Sequence, residues 1–157
     1  MVTRILVAVT DSASGLAAGQ AAIAMAAVWG VPMRILGTSN GEEAMPVAGP
    51  AAAMSSPAAL PDFTQRRELA ATAMVRHVAG LAGKAGITIE TVSADGTTAR
   101  RILEEARASH ADLIVMGKST PPGPGRPAVD VRVQRVLEFT HVPVLVVPEP
   151  SGSRSPE

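Results

Sequence analysis

Three short stretches of this chain carry almost unbroken apolar character: Arg4–Val9 (RILVAV), Asp112–Met116 (DLIVM) and Pro143–Val147 (PVLVV). Successive side chains of a strand point to opposite faces, so a strand that is apolar throughout has to be covered on both sides. Strands of that kind belong to parallel sheets lying between two layers of helices. Met33–Thr38 (MRILGT) and Ile87–Ser93 (ITIETVS) are two weaker strand signals.

Helical periodicity fills the intervals. Ser14–Trp29 is alanine-rich, with Ser12 or Ser14 placed to cap its start and Gly30 and Pro32 placed to stop it. Over Thr64–Ala85, residues Ala71, Met74, Val75, Val78 and Ala82 make one apolar stripe, Arg66, Arg67, Arg76 and Lys84 lie largely off it, and Gly86 ends the segment. Thr98–Ser109 sets Ile102, Leu103 and Ala106 on one face, with Glu104, Glu105 and Arg107 elsewhere. Pro127–Phe139 spaces Val129, Val133, Val136 and Leu137 at i, i+4, i+7 and i+8. Its first part, Val129–Val133, also alternates as a strand does, but a helix leaves Arg132, Gln134, Arg135 and Glu138 facing water. The resulting order, β-α-β-α-β-α-β-α-β, predicts an α/β fold: a five-stranded parallel sheet with right-handed crossovers and helices on both faces.

A chain of 157 residues suits one domain with one sizeable core. The 14 basic and 14 acidic residues cancel, which argues against a nucleic-acid or anionic-membrane footprint. Phe63, Phe139 and Trp29 are the whole aromatic complement, too little for a base-stacking platform. Without cysteine there are no disulfides, thiolate nucleophiles or thiolate-bound metals, and His77, His110 and His141 fall in no metal-binding spacing. Leu16–Met33 is about long enough to span a bilayer, but its alanines, Gly19, Gln20, Gly30 and Pro32 read as a buried helix instead. The apolar run Ile5–Val9 is too short for a signal peptide, so the expected compartment is the cytoplasm.

Two segments stand outside the alternation. Residues 41–62, rich in Ala, Pro and Met, read as a long mobile insertion, either a lid or a tolerated low-complexity connection. The domain itself is expected over residues 1–148, with 149–157 a disordered polar tail.

Ligands of open parallel sheets bind beyond the carboxyl ends of the strands, where the strand order reverses. The loops after the first and fourth strands are therefore the ones to read: Thr10-Asp11-Ser12, and the stretch from Gly117 through Lys118, Ser119, Thr120, Gly123 and Gly125 to Arg126. The tetrad GKST suggests a P-loop, but the glycine that such a loop needs five positions earlier is Asp112, and strand fills the space between.

Four stretches together resemble the universal stress protein family. ILVAVTDS (Ile5–Ser12) looks like the family's opening strand and turn, and ADGTTARRILEEA (Ala94–Ala106) like the turn before its third helix. ADLIVMG (Ala111–Gly117) looks like its fourth strand, and RVLEFTHVPVLVVP (Arg135–Pro148) like its last helix and strand. The resemblance implies a Rossmann-like, adenine nucleotide alpha hydrolase-like sheet in the order 3-2-1-4-5. It also implies a homodimer, commonly formed through the last strand, here Pro143–Val147.

Nucleotide-binding members carry G-x2-G-x9-G-[S/T] after the fourth strand, glycines admitting the phosphates and the final pair opening a helix that holds them. Set on this chain without gaps, the pattern meets Gly117, Thr120, Asp130 and Val131, so only the first position matches. Gly123 and Gly125 lie out of register among Pro121, Pro122 and Pro124, and the acidic position on the adenine side falls on Thr10. At about 4 Å, Asp130 would repel a phosphate by on the order of 1 kcal/mol in water and about 4 kcal/mol at an effective dielectric near 20. Val131 removes a hydroxyl donor worth about 0.5–1.5 kcal/mol. Lys118 and Arg126 pull the other way, either as anion partners or as solvated loop charges.

The leading expectation is a homodimeric regulatory or protective module of this family, without a tightly bound cofactor. The alternative is a member that binds ATP through a rearranged loop of Lys118, Ser119, Gly123 and Arg126. A nucleotide-hydrolysing enzyme is the third, weakest reading: Asp11 and Ser12 have no histidine near them in sequence, and Ser12 and Asp130 read equally as a helix cap and a helix-start acid.

Overall fold

The computed structural model describes residues 1–38, 59–93, 98–118, 124 and 130–150, with side chains of the second segment from Gln65 onward. Nine elements alternate: β1 Ile5–Val9, α1 Ala13–Trp29, β2 Met33–Gly37, α2 Ala59–Lys84, β3 Ile89–Ser93, α3 Thr98–Ala108, β4 Leu113–Lys118, α4 Val131–Phe139 and β5 Val144–Pro148. The five strands form one parallel sheet in the order β3-β2-β1-β4-β5, so the order reverses between β1 and β4.

The unbroken apolar strands sit where their composition requires. Every residue of β1 is buried, and its side chains feed two cores. Ile5, Val7 and Val9 meet Ala18, Ala22 and Ala26 of α1 and Val75 and Val78 of α2. Leu6 and Ala8 meet Ala99, Ile102 and Ala106 of α3 and Val133 and Val136 of α4. At the amino end of the sheet the Asp112 carboxylate accepts hydrogen bonds from the Thr3 amide (2.7 Å), the Arg4 amide (2.9 Å) and the Thr3 hydroxyl (2.9 Å), tying the start of β1 to β4.

Several expectations need correction. α1 is not buried all round: only the stripe of Ser14, Gly15, Ala18, Gly19, Ala22 and Ala26 is, while Val28 and Trp29 are exposed. Small side chains let that stripe lie close on the sheet, and Gly30 at φ 65° ends the helix in the left-handed conformation that glycine adopts without strain. α2 begins at Ala59, inside the segment read as an insertion, and the rest of that segment, 41–58, lies outside the described residues, as does the tail from 151. β4 runs to Lys118, because Gly117 and Lys118 pair with Val147 and Pro148 of β5; the loop therefore begins after Lys118 and not at Gly117.

Two charged side chains are buried: Glu105, expected only off the apolar face of its helix, and Arg132, expected to face water. Glu105 is 5% exposed and bridges Arg34 of β2 (3.0 Å) and Arg101 one helical turn back (3.0 Å), which balances its charge inside the α3 face. Arg132 is 8% exposed on the inner side of α4, whereas Leu137, expected on that stripe, is 47% exposed. The cause is the start of the helix at Val131, which turns Arg132, Val133 and Val136 inward.

Candidate functional site

Backbone proximity shapes the carboxyl edge between β1 and β4. Gly117, the penultimate residue of β4, is buried against the first turn of α1: a Cβ on it would lie 2.6 Å from the carbonyl carbon of Ser14. Gly15 is pressed against Thr10 in the same way, a Cβ there falling 2.7 Å from the Thr10 nitrogen. The first motif glycine therefore has a packing role in this chain, whatever the loop beyond it binds.

The loop after β1 pairs its own hydroxyls. Thr10 is 1% exposed, and its Oγ1 lies 2.6 Å from Ser12 Oγ, which is in turn 2.9 Å from Ser14 Oγ. Ser12 is the N-cap of α1, its Oγ accepting a hydrogen bond from the Gly15 amide at 3.2 Å. Asp11, between them, is exposed.

Across the switch point, Asp130 is the N-cap of α4, and its Oδ1 accepts from the Val133 amide at 2.9 Å. A helix start offers such amides to anions, and here a side chain of the chain itself takes one. Val131 follows with its side chain 55% exposed. Arg132 donates from a guanidinium NH2 to the Gly117 carbonyl oxygen (2.9 Å) and stands 3.7 Å from Asp130 Oδ2, so it joins the end of β4 to the start of α4.

Thr10, Asp11, Ser12, Gly117, Lys118, Asp130 and Val131 thus occupy the carboxyl edge to which the sequence assigned them, with Lys118 half-buried at the end of β4. Ser119, Thr120, Gly123, Gly125 and Arg126 lie outside the described residues. Arg132 is the site residue that the reading by residue type missed. The available signal was its spacing: one residue before Val133 and four before Val136, it falls on their stripe. Among the described residues no group of His, Cys, Asp and Glu side chains could hold a metal, and no helix is long and apolar enough to cross a membrane.

Comparison with known proteins agrees with this architecture. The family model described as the universal stress protein family matches residues 1–148. A universal stress protein of Methanocaldococcus jannaschii is 37% identical over 76 residues, a stretch covering 48% of this chain and 45% of that relative, less than half of its length. The solved structure of the universal stress protein UspA from Lactobacillus plantarum is similar at a TM-score of 0.70 with 21% identity, covering 92% of this chain and 97% of that one. A universal stress protein solved in complex with cAMP has a TM-score of 0.63 and 22% identity, covering 94% and 98%. At these identities the structural likeness establishes the fold. The family match over residues 1–148, joined to a parallel sheet in the order 3-2-1-4-5, means that the chain belongs to the universal stress protein family.

Proposed function

We propose that this protein is a homodimeric regulatory or protective module of the cytoplasm that does not bind ATP tightly. The observation that carries the reading is the Asp130 carboxylate on the Val133 amide. A phosphate at the start of α4 would have to displace a negative charge already bound there, against Coulomb repulsion. The rest of the described edge supports the same reading, since Ser12 Oγ, the cap of α1, is already hydrogen-bonded to the hydroxyls of Thr10 and Ser14 and to the Gly15 amide. Assembly would use β5, which ends the sheet and so presents an unpaired strand edge, with Leu145 38% exposed on it.

Native mass spectrometry of protein purified under mild conditions tests the reading. The expected spectrum is a dimer free of adenine nucleotide; copurified ATP or ADP would overturn it. A second reading, nucleotide binding through a rearranged loop of Lys118, Ser119, Gly123 and Arg126, draws support from the structural neighbour that binds cAMP and from Lys118 at the edge. Loss of a copurified nucleotide on Lys118→Ala would favour it.

A further inference from the structure

The opposite end of the strands, away from the switch-point edge, carries its own cluster of charge. Arg34 of β2 is the register partner of Leu6 in β1 and of Glu90 in β3, so its side chain lies on the face that α3 covers. It is held there by Glu90 (3.0 Å) and by Glu105 of α3 (3.0 Å). Arg4, just before β1, is half-buried, and its guanidinium donates to the Ser109 carbonyl oxygen after the end of α3 (2.7 Å). Among the described residues no acid forms an ion pair with that guanidinium. The Asp112 carboxylate accepts from the Arg4 amide instead. A cavity of about 170 Å³ is lined by both arginines together with Thr88, Glu90, Pro32 and Met33.

We infer that this cavity binds a small organic monocarboxylate, its charged end on Arg4 and Arg34 and its short apolar body against Pro32 and Met33. A guanidinium presents its N–H donors as a planar fork that matches a carboxylate, and the single bond to Ser109 leaves most of those of Arg4 uncommitted. Glu90, with its side chain 65% exposed at the border of the cavity, already sets a carboxylate on Arg34 from outside. A single negative charge suits the place, because Glu90, Glu105 and Asp112 surround the same arginines and would repel a dianion such as phosphate. None of these residues belongs to the carboxyl edge, so the inference stands apart from the question of ATP.

The test titrates sodium propionate into nitrogen-labelled protein, at an ionic strength held constant with chloride, and follows the arginine Nε–Hε signals by NMR. The expected result is a saturable shift at Arg4 and Arg34. Arg4→Gln should weaken the binding at least about tenfold. Glu90→Gln removes the competing carboxylate and should strengthen it about threefold. Arg100→Gln, which deletes an exposed cation at the start of α3, should leave it unchanged. Should Arg4→Gln not fold, Arg4→Lys keeps the charge and a donor for Ser109 but lacks the fork, and a loss of at least about threefold is expected. A shift that never saturates or that all the arginines share overturns the inference, as does undiminished binding in a folded Arg4 variant or an equal loss in Arg100→Gln. Inorganic phosphate binding more tightly than propionate also overturns it. Each of these failures leaves the proposed function standing, since that reading turns on the other end of the sheet.

Discussion

Gly117 and Ser14 meet backbone to backbone: a Cβ added to Gly117 would lie 2.6 Å from the Ser14 carbonyl carbon and 2.9 Å from its Cβ. Neither neighbour is the far end of a flexible side chain, so the end of β4 and the first turn of α1 would have to separate. Gly117→Ala is expected to destabilise the fold by about 1–3 kcal/mol or more, the usual range for overpacking. Gly80 and Gly83, inside α2 with nothing within 4 Å of an added Cβ, should gain about 0.5–1 kcal/mol on change to alanine. Urea denaturation of the three variants reads both signs. A neutral Gly117→Ala would show that the two backbones are not in contact.

The Glu105 bridge makes an opposite demand. Its side chain is 7% exposed, and its partners Arg34 and Arg101 are 24% and 33% exposed. Glu105→Gln keeps the volume and deletes the charge, leaving two guanidinium groups together with no shared carboxylate between them. Breaking a buried pair costs roughly 3–5 kcal/mol, and the part-exposed arginines place this one at the lower end. Thermal unfolding should show the loss with little relief in high salt, whereas a loss that salt erases would identify a solvated contact.

Asp112 predicts an acid limb to the stability. Burial alone would raise its pKa, but hydrogen bonds from the Arg4 and Thr3 amides and the Thr3 hydroxyl to the ionised form outweigh it and hold the group below its ordinary value of 3.8. A folded-state pKa below the unfolded one means stability that is fully present above the unfolded pKa and lost as pH falls through the folded pKa. Asp112→Asn should therefore be less stable than the parent near neutrality and should lose less between neutrality and strong acid. Parallel stability curves down to strong acid would contradict the assignment.

Dimerisation through β5 predicts that Leu145→Asp, at an exposed position on the edge strand, shifts sedimentation toward the monomer while the far-ultraviolet circular dichroism stays unchanged. An unaltered dimer would place the interface elsewhere.

The fold was legible because the periodicities are clean. The unbroken runs of β1 and β4 require cover on both faces, and the Ala71–Ala82 stripe of α2 is buried much as its spacing predicts. Reading by residue type failed where charge and position disagreed. Glu105 lies at i+3 from Ile102 and Arg132 at i−4 from Val136, so both occupy stripe positions, yet as charged residues Glu105 was placed off its stripe and Arg132 was assigned to water. Their burial depends on partners from other parts of the fold, Arg34 for one and the Gly117 carbonyl for the other, which no local pattern reveals. The departures at Thr10, Asp130 and Val131 were visible in the sequence; that Asp130 itself caps the helix, beside a buried arginine, required the structure.

With Asp130 already occupying the start of α4, this edge is expected not to hold ATP tightly. Calorimetric titration of ATP into refolded, nucleotide-free protein measures this affinity. The expected result is no binding tighter than about millimolar, the range in which the interaction free energy is only about 4 kcal/mol. A dissociation constant of about a micromolar or below, some 8 kcal/mol, would contradict it.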